Sequence, residues 1–221
     1  MEILSRFFEI KHRERFIPRL LFYILGNIIL AFGVTFNTKT AFGASPFIAL
    51  AFTTAEISGV NLGVTSFLTY LTCIFLQFVI LRKDFKPEML LQILLSFLTS
   101  FFIGIFDTFL PDLTTMGTRV LGLAIGISCT GIGSSIIVDM KLIANPADSL
   151  ANLIGIKLKR GFGFGKNVFD FAFLATAAVI GIVCRGRILG IGIGTVCAMI
   201  FTGRVIALFQ RLFKEKTEYF I

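Results

Sequence analysis

Two proline steps are the residues best placed to do chemistry in this chain. Ser45-Pro46 and Asn145-Pro146 each set a helix-capping side chain directly before a proline. Proline suits the first helical turn, where its missing N–H would have no partner, and a preceding Ser or Asn caps the free N–H groups beside it. A helix that begins inside a membrane aims those N–H groups and its positive dipole end at a cavity, where an anionic or carbonyl group of a substrate can bind. The plainer reading is an interfacial helix start that binds nothing. The matched occurrence of the two steps tilts the choice toward a shared central site.

Carboxylates in or near apolar runs come next, because a charge in a bilayer is costly and usually faces a cavity or a partner. Asp170 lies a few residues into an apolar run, Asp148 follows the Asn-Pro step, and Asp139 precedes it. The sharper reading of Asp170 is a proton-coupled carboxylate. The plainer one is a structural ion pair, with Arg204 as the expected partner. Asp107 is expected to pair with Arg119, and Glu56 to sit at an interface. The substrate-binding candidates are therefore Ser45, Pro46, Asn145, Pro146, Asp148 and Asp170.

Other chemistries lack their parts. The one histidine, His12, lies in the polar N-terminal segment, and Cys73, Cys129, Cys184 and Cys197 fall in apolar runs without a CxxC. They read as small buried hydrophobes, so neither a zinc site nor a His-based triad is expected. No catalytic residue, cofactor or metal ligand is assigned. Gly161-Phe162-Gly163-Phe164-Gly165 has GxG spacing, but no strand precedes it, and it reads as a flexible loop before a span.

The elements that must position these residues are membrane helices. The chain is 56% hydrophobic and 15% charged, against about 45–50% and 25% in soluble domains. Such a surface needs lipid as its solvent. A span needs ~20 mostly apolar residues. Six runs qualify: Ile17–Phe36, Leu62–Leu81, Met89–Leu110, Val120–Val138, Val168–Cys184 and Ile188–Phe209. Ala41–Ile57 and Leu142–Lys159 are shorter and read as re-entrant or interfacial helices. The expected fold is all-α, one transmembrane domain over residues 1–221. Gly122 and Gly126 make a GxxxG, and Gly190, Gly192 and Gly194 line the start of the sixth run, where small residues let helices approach.

With the N-terminus inside, that side receives Arg82, Lys83, Lys86, Lys141, Lys157, Lys159, Arg160, Lys166, Arg211, Lys214 and Lys216, and the other mainly Lys39, Arg119, Arg185 and Arg187. This fits the positive-inside rule, with both termini cytoplasmic. The net charge of +8 is then an anchor to anionic lipid rather than a nucleic-acid surface. No cleavable signal segment is read at the N-terminus.

The chain also resembles itself. Shifted by one hundred residues, Arg19 meets Arg119, Gly26 meets Gly126, Gly33 meets Gly133, and Ala44-Ser45-Pro46 meets Ala144-Asn145-Pro146. Gly and Pro matching in register is harder to dismiss than matching Leu, because their backbone properties are specific. The expected repeats are residues 16–111 and 117–213. Three spans per half make the second half enter from the opposite side, the inverted plan common in secondary transporters. If the short segments cross fully, each half has four spans and the repeat is parallel; the sequence leaves both open. Asn145-Pro146-Ala147 spells the aquaporin tripeptide. The pattern departs from aquaporins, whose two motifs follow the second span of each half.

The Arg-Leu-x-Phe-Tyr-x-Leu-Gly opening from Arg19 to Gly26, the Gly-Ala-Ser-Pro step from Gly43 to Pro46, and Gly192-Ile193-Gly194-Thr195 resemble the bacterial YczE/YyaS/YitT membrane proteins, nearest the YczE branch. The resemblance implies a bacterial cytoplasmic membrane protein of about this size and carries over no site residue. The leading expectation is a secondary transporter, an exporter of a small amphiphilic or anionic molecule, with the lipid bilayer as its surroundings and protons as the candidate coupling ion. The runner-up is a non-transporting regulator that binds a partner protein or lipid. An intramembrane enzyme would need a nucleophile and base together, and none is seen. Oligomeric state is left open.

Overall fold

The computed structural model describes residues 16–220, with side chains for 17–213. Among these residues there are eight α-helices and no strands: α1 Phe16–Lys39, α2 Pro46–Ser58, α3 Leu62–Leu81, α4 Gln92–Phe109, α5 Met116–Asp139, α6 Pro146–Lys157, α7 Phe162–Arg185 and α8 Ile193–Phe220. Six are long and apolar enough to cross a membrane, all but α2 and α6. Large side chains such as Phe109, Phe171, Val183 and Ile193 lie exposed on the outside of the bundle, which suits lipid rather than water.

Contacts fix the direction of each span. α1 and α5 form the central pair. Arg19 donates to the Met140 carbonyl, and Tyr23 Oη donates to Ile143 O at 3.0 Å. A Cβ built on Gly133 would sit 2.7 Å from the Gly26 oxygen, and one on Gly33 would sit 2.7 Å from the Gly126 oxygen. Numbers rise along α1 as they fall along α5, so the pair is antiparallel. Glycine lets the two backbones touch, which is how helices associate where lipid removes the hydrophobic drive.

α4 runs parallel to α1, with Thr99 Oγ1 donating to Asn27 Oδ1 at 2.7 Å and Phe106 edge-on to Phe32. α8 runs parallel to α5, with Val205 against Gly131 and Gln210 donating to Asp139 Oδ1 at 2.9 Å. Thus α1, α4 and α7 run one way and α3, α5 and α8 the other. The start of α1 and the Gln210 turn of α8 share one face with Met140. The opposite face carries Lys39.

The short helices do not cross. At 1.5 Å per residue, α2 is roughly 20 Å long, less than the ~30 Å hydrocarbon core. The chain leaves α1 at Lys39, descends, and α2 climbs back to the same face, where Lys39, Glu56 and Asn61 line one cavity. α6 returns to the Met140 face, where α7 begins. The antiparallel α1/α5 pair fits short segments that turn back within the bundle.

Two sequence expectations are corrected. The sixth span starts at Ile193 rather than Ile188. Gly190 holds φ +68°, and the segment before α8 pairs with the segment before α2, Ala44 N to Gly190 O at 2.8 Å and Gly194 N to Phe42 O at 2.7 Å. The glycine-rich stretch 161–165 is not a flexible loop: α7 begins at Phe162, and Gly165 is pressed on α6, where a Cβ would lie 2.5 Å from Gly155 N. Gly165 serves close packing there, whereas a Cβ on Gly161 or Gly163 would meet nothing within 4 Å.

Candidate functional site

Both proline steps start helices, as their residue types require. Asn145 caps α6, its Oδ1 accepting from Ala147 N at 2.9 Å. Ser45 stands at the cap of α2 with no side-chain bond, and Pro46 follows at the first turn. Both prolines are buried.

The two helix starts meet around α3. The Phe47 ring, one residue into α2, lies 4.4 Å from the Tyr70 ring. The side chain of Tyr70 in turn lies beside that of Asn145. One tyrosine in the middle of α3 therefore stands between the two short-helix N-termini. Phe169 and Phe173 of α7 close the other side, 6.4 and 5.9 Å from Phe47 and 4.2 Å from each other. The centre is filled by aromatic rings.

Polar groups ring this centre toward the Met140 face. Gln77, fully buried on α3, donates to Gln92 Oε1 at 3.0 Å and to Pro146 O at 3.2 Å. Lys166 Nζ donates to Asp170 Oδ1 at 2.9 Å and lies 4.0 Å from Asp148 Oδ1. The same ammonium sits 5.0 Å above the Phe169 ring, a cation–π placement. Asp148 is in the first turn of α6, where the positive dipole end favours a carboxylate. Two carboxylates thus share one ammonium beside the aromatic centre.

Of the candidates read from sequence, Asn145, Pro146, Asp148 and Asp170 are brought together. Pro46 reaches the same place through Phe47, while the Ser45 hydroxyl takes no part. Two expected partners are corrected. Asp170 pairs with Lys166, one turn before it, and Arg204 lies over the Phe201 ring of its own helix at 5.4 Å. Asp107 pairs with Lys39 at 3.0 Å, and Arg119 Nε donates instead to Leu113 O at 2.8 Å. In each case the fold puts another group nearer than the order of spans alone can tell.

Sequence reading misses Lys166, Tyr70, Gln77 and Gln92. Lys166 carries a visible signal, its i,i+4 spacing to Asp170, which its reading as a cytoplasmic anchor passes over. Gln77 is a polar residue inside a span and so a functional candidate by that rule. Among the described residues no three His, Cys, Asp or Glu side chains gather to hold a metal.

Residues 17–211 match a family described as one of unknown function, DUF6198. The chain belongs to this family. It is similar to two Bacillus subtilis (strain 168) proteins. One is an uncharacterized protein, YyaS, 27% identical over 197 residues, covering 86% of this chain and 91% of the relative. The other is an uncharacterized membrane protein, YczE, 29% identical over 195 residues, covering 88% of this chain and 86% of the relative. No solved structure matches the chain. The expected likeness to YczE and YyaS thus stands, and with six apolar spans this DUF6198 member is a membrane protein.

Proposed function

We propose that this protein is a secondary transporter, an exporter of a small amphiphilic or anionic molecule across the bacterial cytoplasmic membrane, with both termini cytoplasmic. The observation that carries it is the meeting of two half-helix N-termini at Tyr70, in the middle of the bundle. Aligned N–H dipoles placed there would bind anionic or carbonyl groups. The shared ammonium of Lys166 adds a cation beside them, and Asp148 and Asp170 are the carboxylates through which protons would couple.

The repeat reading supports the same plan. Exchanging each residue with its equivalent one hundred positions away turns the Gly26–Gly133 contact into Gly126–Gly33, which is also a contact. An inverted two-fold relation between residues 16–111 and 117–213 accounts for that exchange. The two repeats would then rock about the α1/α5 pair to open the centre to either side.

The packed aromatic centre also suits a non-transporting membrane regulator, so flux must decide. Single cysteines at positions 45 and 145, in a chain freed of its native cysteines, test the architecture by labelling intact cells with an impermeant maleimide. Label at 45 from outside and at 145 only after permeabilisation is the expected result. Label at both from one side removes the inverted plan. Proteoliposomes enclosing a pH-sensitive dye, challenged with a panel of amphiphilic carboxylates, should show carboxylate-dependent proton movement. A panel that moves no protons and no carboxylate favours the regulator.

A further inference from the structure

We propose that the Lys39 face holds a lipid-binding site for a zwitterionic lipid with a phosphate and a primary ammonium in its head group. A charged cavity takes the head, and an apolar groove between α3 and α4 takes one acyl chain. The inference stands apart from the transport reading, because it concerns binding at the rim of the bundle rather than passage through its centre.

Two hollows adjoin at this face. The first is a cavity of about 720 Å³ lined in part by Lys39, Glu56, Asp107, Asp112 and Arg119. The second is a groove of about 430 Å³ whose walls include Val64, Phe67, Phe97 and Phe101. Asn61 lines both. Its side chain donates to Gly104 O and Thr108 Oγ1, each at 3.3 Å, so it stands as a polar sill between the hollows. The groove exists because Gly63 meets Gly104 with no side chain between, a Cβ on Gly63 lying 2.7 Å from Gly104 N. Phe97 and Phe101 are 60% and 54% exposed, so the groove opens to lipid.

The charges of the cavity are specific. Lys39 is held by Asp107 and Asp112 at 3.0 and 3.6 Å. Glu56 has no ion pair among the described residues, and only its backbone oxygen is used, by Arg185 at 3.4 Å. Arg119 uses Nε on Leu113 O, which leaves its terminal nitrogens for an acceptor. One free carboxylate and one free guanidinium edge in a single cavity complement a head group of both signs: phosphate on Arg119, where bidentate contact is favoured, and ammonium on Glu56. The membrane leaflet at this face is the source, since the groove is open to it.

The chain contains no tryptophan, so one introduced indole is a clean reporter. Phe101→Trp puts it in the groove. Phe171→Trp, at a position where the native ring is 74% exposed, serves as the control on open lipid-facing surface. Each protein is reconstituted in phosphatidylcholine vesicles doped with phosphatidylethanolamine, phosphatidylglycerol or phosphatidylcholine brominated on the acyl chain. The expected result is stronger quenching of the Phe101→Trp protein by the ethanolamine lipid than by either other, with the Phe171→Trp protein indifferent to head group. Glu56→Gln, on an exposed side chain with no structural bond, should cut that preference roughly two- to fivefold, and Arg119→Gln should do likewise. Equal quenching by all three lipids at both positions overturns the site, as ordinary lipid solvation. Preference for the glycerol lipid, or preference unmoved by both substitutions, overturns the head-group assignment. Lipid preference without any flux would keep this site and remove the transporter; flux without lipid preference would do the reverse.

Discussion

Lys166 and Asp170 are joined at 2.9 Å across one turn of α7, and the carboxylate end is the more buried, with 8% of the Asp170 side chain exposed against 33% for Lys166. The ammonium also faces Asp148 of α6 at 4.0 Å, so this one lysine ties the second short helix to the span beside it.

Removing Lys166 strands a buried carboxylate, whereas removing the charge of Asp170 leaves a partly exposed ammonium with Asp148 still near. Lys166→Gln should therefore cost about 3–5 kcal/mol, and Asp170→Asn clearly less. The double variant should recover part of the loss. Unfolding in mixed micelles, read as a double-mutant cycle, measures this; equal costs for the two single variants would show that the pair is not buried as described.

Asp170→Asn should keep the fold and abolish carboxylate-dependent proton movement in proteoliposomes. Unchanged flux in a folded variant takes Asp170 out of the proposed mechanism and leaves it a structural partner of Lys166.

Gly33 is pressed against α5, and a Cβ there would sit 2.7 Å from the Gly126 oxygen and collide with the Thr130 amide. Gly33→Ala should cost about 1–3 kcal/mol or more through overpacking. Gly203 on α8 has nothing within 4 Å of a built Cβ, so Gly203→Ala should stabilise by about 0.5–1 kcal/mol through helix propensity. The same unfolding assay ranks them, and a neutral Gly33→Ala would contradict the close α1/α5 contact.

Gln77 joins α3 to α4 and to the first turn of α6. Gln77→Leu leaves the buried Gln92 amide without its donor and acceptor and removes one donor from Pro146 O, at about 1–3 kcal/mol. Gln77→Leu with Gln92→Leu should be milder than the single change, because both amides are gone. A double variant worse than the single would mean that Gln92 has another partner.

Apolar length decided the architecture at the level of sequence. Six runs match the bilayer thickness and two do not, and a backbone in lipid must be helical, so the spans, the two short segments and the proline starts of α2 and α6 were legible. Helix ends were less so. The start of α8 depends on Gly190 and on backbone pairing to residues 42–44, which no local pattern encodes. Partners were decided by tertiary structure alone. Arg204, expected on the side of Asp170, is exposed on α8 over its own Phe201, and Lys166 wins because it is one turn away on the same helix. Asp107 took Lys39 over Arg119 because the segment after α4 folds back, Leu113 N donating to Lys39 O at 2.9 Å and Leu113 O accepting from the arginine. Composition and period tell which residues leave water and which helix lengths span, because those are sums along the chain. Which helices face each other is set by where glycines let backbones touch, and that pairing across one hundred residues exists only once the bundle has formed.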